Sequence, residues 1–385
     1  MLLGHFPRVP FDWAELLAEA GWEVEARPEA ELGASFDGDR QLLVARAEDG
    51  GERLLKAMDA LDEYDCSAIL PVLPHGDAER VLDFVRRGVA DVLVEPVSPE
   101  ELLAAVERVE RRAALYRDNR NYNRALERAN KELSESLNIL RMDQIAGRQV
   151  QKSLLPQEPI VHRGYTVTHT ILPSLYLSGD FVAYHLVLDR YILFFLADVS
   201  GHGASSAFVT VLLRFLLKRI IRRHVRERDW AALARAPEGF VEHLNRQILA
   251  AGIEKQITLF GGAIDTERHL LRYAVAAQVP MPVMVVDGDA RFLHGRGKVV
   301  GLFEEARWET YEIALPERFR LVVVSDGLLE TLPGATLGER EAELLARLRR
   351  HHGDHQEICR ALGLEGLKEV ADDVSILTIA RGQMP

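Results

Sequence analysis

The sequence predicts three parts in order: an α/β doubly wound parallel sheet over residues 1–110, a helical coiled-coil linker over 111–150, and an α+β antiparallel β-sandwich over 151–385. Three observations predict this. In the first part, short apolar runs alternate with amphipathic helical patterns, as strands joined by crossover helices do. In the second, residues 100–150 hold no proline and one glycine, Gly147, so nothing breaks a helix. From Leu155-Pro156 onward, strand-like runs follow one another with few helices between, which points to antiparallel sheet with helices outside.

The length and composition agree. A chain of 385 residues is too long for one typical domain. At 48% hydrophobic and 28% charged it can bury ordinary cores, which excludes global disorder. The net charge of −12, from 59 acidic and 47 basic side chains, argues against a nucleic-acid partner. Cys66 and Cys359 lie far apart and form no metal-type pair, so the expected setting is the reducing cytoplasm. Met1-Leu2-Leu3-Gly4-His5-Phe6 lacks the cationic start and apolar run of a signal peptide. The most apolar stretches, 191–199 and 207–217, are too short or too interrupted to span a bilayer, so no membrane partner is expected.

In the first part, strands are expected at 42–45, 68–73 and 92–94, and helices at 78–87 and 99–112. In the linker, Leu126, Leu133, Leu137 and Leu140 follow steps of four and three once Asn130 is included, and Asn123 falls in the same seam class. An apolar seam with Asn at a-type positions favours a parallel two-stranded coil, hence a homodimer through the linker helix. In the third part, strands are expected at 164–171, 181–188, 191–198, 258–265, 270–276, 283–287, 320–325 and 374–379. Helices are expected at 204–223, 238–251 and 337–351. The basic stretch 214–228 keeps Leu212, Phe215, Leu216, Ile220 and Ile221 at helical spacing and reads as a solvated helix face.

The chemistry concentrates in four acidic motifs at the ends of apolar strands. They are Ser178-Gly179-Asp180, Ala197-Asp198-Val199-Ser200-Gly201-His202-Gly203, Ser325-Asp326-Gly327 and Ala371-Asp372-Asp373-Val374. Strands deliver their ends to a common sheet edge, where converging carboxylates repel and shift each other's pKa values. A hard divalent cation removes that penalty, and oxygen-only ligands indicate Mg²⁺ or Mn²⁺ rather than Zn²⁺. Adjacent glycines let backbone approach closely. One Asp-Gly alone is a turn former; four such sites in this order are far more specific.

On these motifs the sequence resembles the metal-dependent (PPM, type 2C) protein phosphatases, and most closely their bacterial stress-response and sporulation branch. The matching residues are the leader Gln151-Lys152-Ser153-Leu154-Leu155-Pro156, then Gly179-Asp180-Phe181, the Asp198 motif, Ser325-Asp326-Gly327-Leu328-Leu329-Glu330, and Asp372-Asp373. The resemblance covers residues 148–382. It implies two Mn²⁺ or Mg²⁺ ions and a water that attacks a phosphoserine or phosphothreonine, without a phospho-enzyme. The catalytic and metal residues it implies are Asp180 and Asp198 beside both ions, with the backbone carbonyl of Val199, and Asp326 and Asp372 on one ion. Asp373 is a weaker candidate. The implied partner is a phosphorylated anti-sigma-factor antagonist-like protein in a partner-switching pathway.

Three departures bear on this. Ala183 stands where the branch often has a second Asp; either that Asp only supports a metal water, or its loss leaves the shell short. The alternative function, a catalytically weak pseudophosphatase that serves as a binding adaptor for a transcription regulator, draws on Ala183. Ala276-Ala277-Gln278 stands where the branch often has Ala-Gly-His and reads as structural. His202 reads as a turn residue near the 204–223 helix, because its spacing after Asp198 differs from that of the eukaryotic enzymes' histidine.

The N-terminal part resembles a response-regulator receiver. The resemblance rests on Pro71-Val72-Leu73-Pro74-His75-Gly76-Asp77 and on Gly88-Val89-Ala90-Asp91-Val92-Leu93-Val94-Glu95-Pro96-Val97-Ser98-Pro99-Glu100. Receiver phosphorylation needs an acidic pair, an acceptor Asp, a Thr or Ser, and a Lys. Here residues 3–10 contain no acid, Ala45-Arg46 takes the acceptor place, Leu73 the Thr/Ser place and Glu95 the Lys place. A pseudo-receiver is expected, with Asp49 the competing acceptor.

Overall fold

The computed structural model describes residues 2–5, 11–26, 41–47, 51–59, 61, 63–75, 77–201, 203–367 and 369–382, so His202 and Asp49 lie outside the described residues. The chain divides into two compact units, Met1–Leu137 and Asn138–Pro385.

The first unit holds β1 (Leu2–His5), α1 (Phe11–Glu19), β2 (Val24–Ala26), β3 (Leu42–Arg46), α2 (Glu52–Met58), α3 (Glu63–Ser67), β4 (Ile69–Leu73), α4 (Val81–Arg86), β5 (Leu93–Val94) and the start of α5 (Pro99–Leu154). The strands are all parallel, in the order β2-β1-β3-β4-β5. This is the flavodoxin-like order of doubly wound sheets. β3 and β4 are apolar along nearly their whole length because both faces are covered. Leu43, Ala45, Ile69 and Leu73 pack with Leu54, Met58 and Phe84 of α2 and α4. Leu42, Val44, Leu70 and Val72 pack with Leu17 of α1 and with Leu102, Ala105, Val106 and Val109 of α5.

α5 runs for 56 residues. Ser98 caps it: its hydroxyl accepts from the Glu101 N–H at 3.2 Å while the Glu101 carboxylate accepts from the Ser98 N–H at 3.2 Å. Pro99 sits at the first helical position, where no N–H is needed. Between Pro99 and Pro156 nothing stops the helix, so the 110/111 divide expected from the sequence falls inside it. Leu126, Leu133, Leu137 and Leu140 are all exposed.

The second unit builds two antiparallel sheets. One has the order β14-β11-β10-β9-β8, from β8 (Asp180–Val187), β9 (Tyr191–Val199), β10 (Ile257–Asp265), β11 (Leu270–Ala276) and β14 (Thr310–Ala314). The other has the order β13-β12-β15-β16-β7-β6, from β6 (Ile160–His162), β7 (Tyr165–Leu172), β12 (Val283–Val286), β13 (Asp289–Phe292), β15 (Phe319–Val324) and β16 (Val374–Arg381). Between the sheets, Val182, Phe194, Phe260 and Tyr273 meet Tyr165, Phe319, Leu321 and Leu377. The outer face of the first sheet is covered by α6 (Ala204–Glu227) and α8 (Phe240–Ala250), joined by α7 (Trp230–Arg235). The outer face of the second is covered by α9 (Gly327–Thr331), α10 (Leu337–Arg350) and α11 (His355–Ala361).

In the second unit the strands not foreseen, β6, β13 and β14, are short edge strands, and β14 alternates exposed and half-buried residues, so it carries no apolar run; in the first unit β1 and β2, four and three residues long, were not foreseen either. On α6, Leu216 and Leu217 take core positions, whereas Phe215, one of the helically spaced apolar residues, is 62% exposed. Among the described residues no helix is long and apolar enough to cross a membrane.

Candidate metal centre

Strand alternation aims the first two acids. Val182 and Tyr184 of β8, and Ile192, Phe194 and Leu196 of β9, face the second sheet. Asp180 and Asp198 share their parity, so they point the same way at one end of the sandwich. They are also direct cross-strand partners in the β8–β9 ladder. Like charges placed opposite one another destabilise a sheet. The second sheet brings Asp326, at the end of β15 and the start of α9, and Asp372-Asp373, just before β16. β15 and β16 are neighbours, which holds these motifs side by side.

The glycines are required by close approach. A Cβ on Gly179 would stand 2.8 Å from the Val199 carbonyl oxygen, and one on Gly327 would collide with the Asp373 carbonyl. That is why Gly precedes Asp180 and follows Asp326.

Burial differs across the group. Asp180 is 2% exposed, Asp198 half-buried, and Asp326 and Asp372 exposed, so the cluster forms an open edge with a buried floor. Burial first, and then Asp198, hold the Asp180 carboxyl well above the usual carboxylate range. Burial, then Asp326, Asp372 and Asp373, push Asp198 up to about 7. Asp326 is also raised, by burial and by Asp372. The Ser375 and Ser325 hydroxyls partly oppose the Asp180 shift, and among the described residues no basic side chain counters the three shifts. Asp180 Oδ2 is buried without a hydrogen-bond partner among the described residues.

Such an orphaned oxygen, within a carboxylate group that has no cationic partner among the described residues, fits a hard divalent ion. Among the described residues no three His, Cys, Asp or Glu side chains close on a single point. Mg²⁺ does not need that, because it keeps several waters and binds through one or two carboxylates.

Asp373 is buried and holds a loop in place. Its Oδ1 accepts from the Ser174 N–H at 2.7 Å and the Ser174 hydroxyl at 2.9 Å, and its Oδ2 accepts from the Gly179 N–H at 2.6 Å. Both oxygens are thereby spent on clamping the loop that carries Asp180.

Ala183 is fully buried on the opposite face, with Phe181, Phe195 and Ala197, under α6. Ala183 is thus a core residue, on the face of β8 turned away from Asp180 and Asp198.

Three further side chains, Gln151, Lys255 and Gln278, position the loops of the site, a role the sequence did not assign to them. Gln151 Nε2 donates to the Ser178 carbonyl at 2.6 Å and to Thr210 Oγ1 at 3.1 Å, and Gln151 Oε1 accepts from the Ser178 N–H at 3.1 Å. It ties the end of α5 to the Asp180 loop and to α6. Lys255 Nζ donates to the Ser200 carbonyl at 2.9 Å and to Ser206 Oγ at 3.3 Å, pinning the turn after Asp198. Gln278 Nε2 donates to the Val324 carbonyl at 2.8 Å, just before Ser325-Asp326, and Ala277 beside it adopts φ 49°, where a glycine would be unstrained. The leader motif flagged Gln151, but nothing local marked Lys255.

In the first unit, Arg46 and Glu95 meet at the ends of β3 and β5. Arg46 Nε stands 2.7 Å from Glu95 Oε1, and Arg46 Nη2 donates to Oε2 at 2.9 Å. The two side chains form a bidentate ion pair and offset each other's charge.

Two facing antiparallel sheets with helices outside, and acids gathered where both sheets end, define a PP2C-type fold. The SiaA-PP2C domain of Pseudomonas aeruginosa shares this fold, with a TM-score of 0.50 over 64% of this chain and 99% of that one, at 17% identity. The chain belongs to the stage II sporulation protein E (SpoIIE) family, whose sequence profile matches residues 189–382. That match takes in Asp198, Asp326, Asp372 and Asp373. The chain is 27% identical over 188 residues to phosphoserine phosphatase RsbP of Bacillus subtilis, covering 48% of this chain and 44% of that protein. It is 23% identical over 217 residues to protein IcfG of Synechocystis sp., covering 52% and 34%. The chain therefore spans less than half the length of these relatives.

Proposed function

We propose that this chain is a protein serine/threonine phosphatase that uses two Mg²⁺ or Mn²⁺ ions to dephosphorylate a phosphoserine regulatory protein. The carrying observation is the opposed pair Asp180 and Asp198, with one buried oxygen unsatisfied among the described residues. Asp180, Asp198, Asp326 and Asp372 would hold the ions, with the Val199 carbonyl. Bound, the ions offset the carboxylate charge and supply Lewis acidity for attack of water on a phosphomonoester. Asp373 acts as a positioning residue, because its oxygens already accept three hydrogen bonds. Gln151 and Lys255 hold the two loops that present Asp180 and Asp198.

The same reading extends to the other parts. Residues 1–110 form a pseudo-receiver, which the Arg46–Glu95 pair supports. The exposed leucines of the 111–150 segment support a homodimer through that helix. An anti-sigma-factor antagonist-like substrate in a partner-switching pathway follows from likeness to RsbP, itself named a phosphoserine phosphatase. The adaptor reading draws on Ala183 alone, a residue that packs in the core of this chain.

Asp326→Asn tests the proposal. Asp326 is exposed and its side chain makes no capping hydrogen bond to α9, so the fold is expected to persist. The variant should lose Mn²⁺-dependent release of phosphate from a phosphoserine protein and weaken Mn²⁺ binding by calorimetry. Unchanged turnover and unchanged affinity would remove Asp326 from the site.

A further inference from the structure

A cavity of about 490 Å³ opens between α6, α7, α8 and the outer face of the first sheet. At 1.5 Å of rise per residue, Arg223 lies roughly 30 Å along α6 from the turn beside Asp198. The cavity is therefore a second place in the same unit, separate from the acids. Its volume falls within the roughly 300–1,000 Å³ typical of small-molecule sites.

The floor is apolar because of the strand pattern. Phe195 and Gly261 are cross-strand partners in β9 and β10, on the face turned toward α6. Gly261 contributes no side chain of its own, and Leu259 Cδ2 and Phe195 Cβ lie 3.3 Å from where its Cβ would stand, so apolar groups surround it. Leu217, Ile221 and Leu233 add apolar walls.

The mouth has the opposite character. Arg223, His224, Arg235, Glu238, His243 and Arg246 all line the cavity. His224 is engaged with Asp229 at 3.2 Å, and Arg235 with Glu238 at 3.8 Å. Arg223 and Arg246 are exposed and have no acidic partner among the described residues. His243 is held below the usual histidine range by burial and then by Arg246, Arg223 and Arg219, as expected in a positive field. This cationic rim stands out on a chain of net charge −12.

An apolar floor under two unpaired guanidiniums selects for a molecule with both features. We propose that this cavity binds a single-headed anionic amphiphile, its carboxylate or phosphate monoester held by Arg223 and Arg246 and its hydrocarbon or aromatic body lying over Gly261 against Phe195. Charge-assisted pairing fixes the head, and removal of apolar surface from water drives in the body. A neutral amphiphile forgoes the first contribution, a cationic one is repelled, and inorganic phosphate lacks the second.

The test is calorimetric titration of the full chain with dodecanoate, dodecyl phosphate, 1-dodecanol and dodecyltrimethylammonium, each below its aggregation limit. Divalent ions are chelated throughout, so the outcome does not depend on the phosphatase reading. Dodecanoate or dodecyl phosphate should bind at one site, and whichever binds tighter identifies the head group. The alcohol and the cation should bind at least about tenfold more weakly. The surface double variant Arg223→Glu/Arg246→Glu should weaken the anion by at least about tenfold. Ala232→Trp, which fills the cavity from α7, should abolish binding while the double variant verifies the head contact independently. Equal affinity for dodecanoate, dodecyl phosphate and dodecanol would overturn the proposal. So would no binding of either anion to the wild type, or affinity unchanged in the two variants.

Discussion

Replacing Asp198 by Asn should stabilise the metal-free protein at neutral pH and leave it almost unchanged near pH 4. The folded carboxyl has its pKa pushed up to about 7, from an ordinary value of 3.8, by burial and by the acids around it. Between those values the folded state holds a proton that the unfolded state has lost. Stability therefore falls as pH rises through that window. At about 1.36 kcal/mol per pH unit, the contribution lost by pH 7.5 is roughly 4 kcal/mol. Asn carries no proton to lose, so the variant lacks this slope. His169 acts in the opposite sense: burial, with His355, pulls it down to about 4, and the stability it contributes is lost as pH falls. Because His169 is the same in both proteins its contribution cancels, and the difference reports Asp198 together with its effect on Asp180. The measurement is urea unfolding in EDTA at pH 4, 5, 6 and 7.5, followed by hydrogen exchange of the β8–β10 amides. The advantage of the variant should grow with pH toward about 4 kcal/mol. Saturating Mg²⁺ should favour the wild type instead. A difference independent of pH would refute the claim that these acids repel in the absence of metal.

Three further outcomes are expected. Ala183→Asp places a charge in a fully buried slot beside Phe181 and Phe195 and should cost at least about 3 kcal/mol in chemical unfolding; an unchanged midpoint with tighter Mn²⁺ binding would return residue 183 to the metal shell. Gln151→Ala strands the backbone N–H and carbonyl of Ser178 and should cost about 1–3 kcal/mol and lower phosphatase turnover; full turnover and an unaltered melting temperature would show the tie to be idle. Leu133→Asp with Leu137→Asp puts like charges into the exposed seam and should give a monomer by light scattering; a persistent dimer would place the contact elsewhere on the chain.

Much of the fold was legible because it is encoded locally. Apolar runs marked β3, β4, β9, β10 and β15, since strands buried on both faces need them. The absence of helix breakers between Pro99 and Pro156 marked α5. Even the place of Ala183 was open to inference: three residues from Asp180 on one strand means the opposite face. Edge strands β6, β13 and β14 were not legible, because half-exposed strands three to five residues long carry no periodic signal.

The sequence by itself determined which residue types stand at strand ends, and hence that oxygen ligands would gather wherever those ends met. Only the tertiary structure decided that Asp180 lies opposite Asp198, that Asp373 spends its oxygens on Ser174 and Gly179, and that Arg46 meets Glu95 across 49 residues. The cationic rim over Gly261 likewise joins Arg223 of α6 to Arg246 of α8. The physical reason is range. Periodicity and propensity act over a few residues, whereas register between strands and the meeting of two sheets are set by which distant apolar faces bury each other best.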